Sequence, residues 1–85
     1  MALVIAHRTA AALAAENSLE GIERAAFCRA DWVELDVRLS RDGQLVLMHD
    51  ESLNRTTSGC GLVGERCLEE LKCLMLRNRD GSLNQ

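Results

Sequence analysis

The chain has no proline, and its only aromatic residues are Phe27 and Trp32. Aromatic side chains fill much of a compact hydrophobic core. With only two of them, an 85-residue chain can build only a small core. At 47% hydrophobic residues the chain is still apolar enough to be globular. The composition therefore predicts a piece of a larger fold.

Basic clusters are also missing, and the net charge is −3. Without a stripe of lysine and arginine, nucleic acid and anionic membranes are poor partners. The apolar opening, residues 1–6, is too short to span a membrane and lacks the pattern of a signal peptide. We expect a cytoplasmic protein that neither binds nucleic acid nor spans a membrane.

The cysteines lack the spacing of a metal site. Four are present, with no C-x-x-C pair and with both histidines elsewhere: Cys28, Cys60, Cys67 and Cys73. This pattern argues against structural zinc and favours reduced thiols, buried or at the surface, in the cytoplasm.

Residues 32–50, WVELDVRLSRDGQLVLMHD, carry the clearest chemical signal. Glu34 and Asp36 are two apart, so on a strand both carboxylates point to one face. A second apolar run ends in His49-Asp50, where a strand meets its loop. Residues 41–43 between the runs form a turn too short for a crossover helix. The second run is thus either a hairpin partner or the next strand.

The residues before this stretch predict a strand and a helix. Ala2–Ala6 reads as an apolar strand buried on both faces of a parallel sheet and followed by His7-Arg8. Asn17 looks like an N-cap with Glu20 in capping-box position, which predicts a helix over residues 18–29 that Gly21 weakens. Residues 10–15 are loop or short helix.

The order strand, helix, strand predicts a βαβ unit with parallel strands, because such crossovers are right-handed. Both strand ends then lie at one edge of the sheet, which gathers His7, Arg8, Glu34 and Asp36. Beyond His49 the sequence predicts a long polar loop over residues 50–64. It also predicts a short helix over Cys67–Met75 and a frayed tail over Arg77–Gln85.

Two carboxylates beside histidine and arginine fit a divalent cation next to an anionic substrate. Arg8 can hold a phosphate oxygen, and His7 and His49 can serve as general base and acid. The chemistry suggested is metal-assisted cleavage of a phosphate ester. Taken singly, each motif is more often a polar loop, a solvated strand face or an Asx turn; only their joint placement favours a site.

Six ordered blocks together resemble the amino-terminal part of the glycerophosphodiester phosphodiesterases. They are VIAHR at 4–8, ENSL at 16–19, ADWVELDV at 30–37, RDG at 41–43, VLMHD at 46–50 and RTTSG at 55–59. The chain departs from the family pattern at Thr9, where glycine is usual, and at Ala15, where proline is usual.

The resemblance implies an α/β fold: the N-terminal fragment of a phosphatidylinositol-phospholipase-like TIM (β/α)8 barrel. It implies hydrolysis of a glycerophosphodiester to an alcohol and sn-glycerol 3-phosphate, with His7 and His49 catalytic. Arg8 would hold the phosphate and Glu16 would bind substrate or orient the site. Glu34 and Asp36 would bind Mg²⁺ or Ca²⁺.

A whole barrel of this type needs about 250 residues. Residues 1–85 would supply a partial domain: the first three strands, one crossover helix and the start of the following insertion. The family's third metal-binding acid and a substrate-side lysine have no counterpart here. The alternative is a truncated, non-catalytic fragment that keeps the signature and self-associates through open sheet edges.

Overall fold

The computed structural model describes residues 3–84, and within them the chain forms three pairs of short strands and two α-helices. The strands are β1 (Ile5–Ala6), β2 (Trp32–Val33), β3 (Val37–Leu39), β4 (Leu45–Leu47), β5 (Leu76–Arg77) and β6 (Leu83–Asn84). The helices are α1 (Leu19–Phe27) and α2 (Leu68–Lys72). β1 and β2 are parallel, whereas β3–β4 and β5–β6 are antiparallel pairs.

The βαβ unit predicted from the sequence is confirmed. Ile5 lies opposite Trp32 in the parallel pair, and α1 connects the two strands. Hydrogen bonds continue past the strand ends: the amide of Glu34 donates to the Ala6 carbonyl at 2.8 Å, and the amide of Thr9 donates to the Glu34 carbonyl at 2.9 Å. The residues that follow β1 and β2 are therefore tied to one another.

The first strand is shorter and more exposed than predicted. Of Ala2–Ala6 only Ile5–Ala6 is strand, and Ala2 lies outside the described residues. Burial on both faces is wrong, because the side chains of Leu3, Val4 and Ile5 are all about 60% exposed. Within residues 3–84, β1 pairs with β2 alone.

Helix α1 begins one residue later than predicted. Ser18, not Asn17, is the N-cap: its Oγ accepts a hydrogen bond from the Gly21 amide at 2.9 Å. Asn17 has a left-handed φ of 52° and directs its amide elsewhere. The helix ends at Phe27, and Arg29, with φ of 57°, turns the chain towards β2.

Ser18→Ala removes this cap from a buried position. We expect a loss of about 1 to 2 kcal/mol in the free energy of unfolding, because the Gly21 amide loses its acceptor. Urea unfolding followed by circular dichroism measures it. Ser82→Ala, at an exposed site, is the control and should stay within about 0.5 kcal/mol of the parent. Equal values for the two variants would contradict the cap.

The second apolar run is a hairpin partner. Val37 lies opposite Leu47 and Leu39 opposite Leu45, with Gly43 at φ 78° in the connecting turn. This antiparallel register decides between the two arrangements that the sequence left open. It also returns the chain so that His49 follows β4 near the end of β2 and the start of β3.

The main apolar cluster lies beyond the hairpin. Met48, Leu53 and Val63 are its buried members, and Leu71 of α2 packs against them. Helix α2 covers Leu68–Lys72 only, so the predicted helix over Cys67–Met75 was too long. The cluster anchors the loop over residues 50–64 and so supports the residues that follow β4.

The tail is ordered, and the prediction that it frays is wrong for residues 77–84. β5 and β6 form a hairpin that turns at Gly81, φ 90°. The Arg77 amide donates to the Thr56 carbonyl at 2.8 Å, and Asn84 Nδ2 donates to Glu20 Oε2 at 3.0 Å. Gln85 lies outside the described residues. Backbone pairing, which composition does not reveal, holds this polar segment.

Two further predictions concern the cysteines and membrane-spanning helices. All four cysteines are free, with Cys67 partly buried and the others exposed. Within residues 3–84 there is no helix long and apolar enough to cross a membrane.

Candidate functional site

Glu34 joins the ends of the two parallel strands. Its Oε2 lies 3.2 Å from His7 Nε2 and accepts a hydrogen bond of 3.2 Å from the backbone amide of Arg8. Since His7 and Arg8 follow β1 and Glu34 follows β2, the parallel pairing brings these groups together. The sequence predicted this part of the site.

Asp36 is held by Asn17. The Asn17 Nδ2 donates to Asp36 Oδ2 and the Asp36 amide donates to Asn17 Oδ1, both at 3.0 Å. The hydrogen bond from Asn17 lowers the pKa of Asp36, and the nearby charges of His49 and Arg8 lower it further. Asp36 is thus an ionised carboxylate close to His49 and Arg8, two of the predicted site residues.

His49 is fixed at both its backbone and its ring. The guanidinium of Arg38 donates to the His49 carbonyl through Nε at 3.1 Å and Nη2 at 2.7 Å. The ring Nδ1 lies 2.8 Å from Asp50 Oδ1. The contact to Asp50 uses Nδ1, so Nε2 takes no part in it.

Arg8 and Glu16 form an ion pair beside these groups. Arg8 Nη1 donates to Glu16 Oε2 at 3.0 Å, and the Glu16 side chain is only 11% exposed. Arg8 Nε is buried and has no hydrogen-bond partner among the described residues. Glu16 therefore contacts the arginine predicted to hold phosphate, as an orienting acid would.

The backbone between β1 and α1 is strained. Four non-glycine residues take left-handed φ values here: Arg8, Thr9, Ala10 and Asn17. Thr9 stands where the resembling family has glycine, and it adopts φ 56° while fully buried. Its Oγ1 donates to the Ser18 carbonyl and accepts from the Ser18 amide, both at 3.0 Å. These two bonds offset the steric cost of a left-handed threonine.

A cleft of about 780 Å³ opens beside His7 and Arg8. Its wall carries four arginines with Glu16 as an acid among them: Arg8, Arg55, Arg77 and Arg79. Guanidinium groups suit phosphate oxygens because they offer several N–H donors in one plane. The arginine side of this mostly apolar cleft suits an anionic ligand, and Glu34, Asp36 and His49 lie outside its lining.

The donor chemistry of Glu34 and Asp36 fits a hard divalent cation. Mg²⁺ commonly uses one or two protein carboxylates and leaves its other positions to water and phosphate. Within residues 3–84, no three Asp, Glu, His or Cys side chains come together as a group that could hold a metal ion. The two acids alone would hold the cation from this chain.

Sequence reasoning missed two residues of this network, Asn17 and Arg55. It assigned Asn17 to a helix cap, whereas Asn17 holds Asp36. Arg55 contacts Asp50 and Glu16. The available signals were that Asn17 lies in the ENSL block and Arg55 in the RTTSG block of the family resemblance, but neither block indicated these contacts.

Comparison with known proteins gives a consistent result. The model of the glycerophosphoryl diester phosphodiesterase family matches residues 7–84. A glycerophosphodiester phosphodiesterase of Caldanaerobacter subterraneus is 49% identical over 72 residues, which cover 85% of this chain and 30% of the relative. The chain thus spans about a third of the length of this curated relative.

Solved structures agree with the sequence comparison. A glycerophosphodiester phosphodiesterase from Agrobacterium tumefaciens is 43% identical with a TM-score of 0.83, covering 88% of this chain and 32% of that one. A phosphodiesterase from Oleispira antarctica, solved with the product sn-glycerol-3-phosphate, is 46% identical with a TM-score of 0.83, covering 87% and 30%. The predicted fold class, part of a TIM barrel of this family, is confirmed by these relatives.

Proposed function

Since the chain belongs to the glycerophosphoryl diester phosphodiesterase family, we propose that its site hydrolyses glycerophosphodiesters to an alcohol and sn-glycerol 3-phosphate. The observation that carries the proposal is the gathering of a histidine, an arginine and two carboxylates after β1 and β2. His49 approaches Asp36 from the end of the hairpin.

Each residue has a role that its contacts support. His7 and His49 are the acid and base: one imidazole accepts the proton of the attacking oxygen and the other gives a proton to the leaving alcohol. Arg8, paired with Glu16, holds a phosphate oxygen through its remaining donors. Glu16, with Arg55 on its other oxygen, orients Arg8.

Glu34 and Asp36 would hold Mg²⁺ or Ca²⁺. The bound cation would supply Lewis-acid stabilisation of the negative charge on the phosphate. The bond from Asn17 keeps Asp36 oriented and ionised for this role. The contact with His7 Nε2 and the hydrogen bond from the Arg8 amide orient Glu34.

A hybrid enzyme tests the proposed hydrolysis. It is the Caldanaerobacter relative in which the 72 aligned residues are replaced by those of this chain. We expect it to hydrolyse glycerophosphocholine when Mg²⁺ or Ca²⁺ is present and to stop when a chelator removes the cation. A folded hybrid without hydrolysis would contradict the proposed function, and hydrolysis that survives chelation would contradict the cation.

Glu34→Gln tests the ligand role directly. We expect the cation concentration needed for half-maximal hydrolysis to rise more than about tenfold, because even partners of metal ligands cost 10–100-fold in affinity. In the 85-residue chain, Trp32 fluorescence during a Mg²⁺ or Ca²⁺ titration should report the same weakening. Glu23→Gln, an exposed acid on α1, is the matched control. Equal cation requirements for both variants would remove Glu34 as a ligand.

A second candidate is a non-catalytic fragment that self-associates. The observation that favours it is the exposure of apolar side chains on and around β1 and β2, including Ile5 at 60% and Trp32 at 65%. Analytical ultracentrifugation of the 85-residue chain distinguishes the candidates when combined with the hydrolysis assay. Association without hydrolysis by the hybrid would favour the fragment.

We also propose a cytoplasmic location. Four free cysteines fit a reducing compartment, where thiols do not pair. Cell fractionation of the tagged protein tests this, and recovery from an extracytoplasmic fraction would contradict it.

A further inference from the structure

One guanidinium in the loop after β4 joins two carboxylates. Arg55 Nε donates to Asp50 Oδ2 at 2.9 Å and Arg55 Nη2 donates to Asp50 Oδ1 at 3.0 Å. Its third nitrogen, Nη1, contacts Glu16 Oε1. All three nitrogens of the side chain are therefore engaged by two acids that lie far apart in sequence.

The Asp50 end of this bridge leads to the His49 ring. Asp50 Oδ1 lies 2.8 Å from His49 Nδ1. An ionised carboxylate only accepts hydrogen bonds, so in the neutral His49 ring the proton is on Nδ1 and the lone pair is on Nε2. The hydrogen bonds from Arg55, and then from His49, lower the pKa of Asp50, which keeps it an acceptor.

The Glu16 end leads to Arg8. Glu16 Oε2 accepts from Arg8 Nη1 at 3.0 Å while Oε1 faces Arg55. Glu16 is mostly buried, so this carboxylate is shielded from water. A continuous chain of charged contacts thus runs from the His49 ring through Asp50, Arg55 and Glu16 to Arg8.

We propose that Arg55 is a positioning residue that sets the tautomer and orientation of His49 and its distance from Arg8. The inference rests on the proposed function, in which His49 transfers a proton and Arg8 holds phosphate. Arg55 itself acts only through Asp50 and Glu16.

This bridge differs from an ordinary surface ion pair. Arg55 is half exposed, and a single exposed pair contributes little to stability and leaves its side chains mobile. Here the contact to Asp50 uses two parallel N–H donors, which fixes orientation as well as distance. Lysine, with a point charge, would not reproduce this geometry.

The first test reads the ring of His49 in the 85-residue chain by ¹⁵N-edited NMR in mildly alkaline buffer. His7 and His49 are the only histidines, so the two rings are readily assigned. We expect the Nδ1–H tautomer for His49 in the parent and a shift towards Nε2–H in Arg55→Gln. Arg24→Gln, which removes an exposed pair to Glu20, should leave the ring unchanged. The same tautomer in parent and Arg55→Gln would overturn the proposal.

The second test is kinetic and uses the hybrid enzyme. We expect Arg55→Gln to lower kcat for glycerophosphocholine about 10- to 100-fold with little change in KM, because the loss of a supporting partner disturbs geometry rather than contact with substrate. Added guanidinium ion should partly restore kcat in Arg55→Gly, whereas Arg55→Lys should restore little. Full kcat in Arg55→Gln would overturn the proposal.

The two tests separate this inference from the function on which it rests. A hybrid that hydrolyses no diester would remove the proposed function, while the His49 tautomer would still decide whether Arg55 positions the ring. A hybrid that hydrolyses with full kcat in Arg55→Gln would remove the inference and leave the function intact.

Discussion

His49→Ala in the hybrid enzyme should lower kcat for glycerophosphocholine about 10²- to 10⁴-fold, the usual contribution of a general acid or base. KM should change much less, because Arg8 and the cation site, which would bind the phosphate, remain in place. Steady-state kinetics at saturating cation measure both constants.

The control for this variant is Gln44→Ala, because Gln44 is exposed and directly precedes β4. It should keep full turnover. His49→Ala with unchanged kcat would exclude His49 as acid or base, whatever its distance from the carboxylates. A large rise in KM alone would instead make it a binding residue.

Gly21→Ala should destabilise the chain by about 3 kcal/mol, at the upper end of what overpacking usually costs. An added Cβ would lie 2.0 Å from the carbonyl oxygen of Thr9 and 2.5 Å from its Oγ1. Replacing a helical glycine by alanine normally stabilises by about 0.5 to 1 kcal/mol, so the sign is reversed by this contact. Urea unfolding followed by circular dichroism is the measurement.

Gly64→Ala is the matched control. Its nearest neighbour would be the Leu39 carbonyl oxygen at 3.9 Å, so the methyl group meets no clash. It should stay within about 0.5 kcal/mol of the parent or gain slightly. A Gly21→Ala variant as stable as Gly64→Ala would contradict the close approach of α1 to the loop after β1.

Gly21 illustrates what the sequence could not provide. From the sequence alone, a glycine inside a helix is expected to weaken that helix. The structure shows that Gly21 leaves room for Thr9 of the loop after β1. Thr9 in turn adopts a left-handed backbone and bonds Ser18, which is why the cap falls there and not at Asn17. Such contacts depend on tertiary packing that local patterns do not encode.

The gathering of the site residues after β1 and β2 could be predicted from the sequence, unlike the contacts of Gly21 and Thr9. Right-handed crossover packing is nearly universal, so a strand, helix and strand in order sufficed to bring His7 and Glu34 together. The hairpin of β3 and β4 was one of two arrangements compatible with the turn at Gly43. The Asp50–Arg55 pair and the ordered tail were not predictable, because polar loops offer many equivalent pairings.

We propose that Glu34 and Asp36 hold one cation and that the rings of His7 and His49 lie near it. Mn²⁺ added in small amounts to the 85-residue chain tests it, since this paramagnetic ion broadens only nearby NMR signals. We expect both histidine rings to broaden together, and the effect to vanish in the double variant Glu34→Gln, Asp36→Asn. Broadening of only one ring, or of both rings regardless of the two acids, would contradict the account.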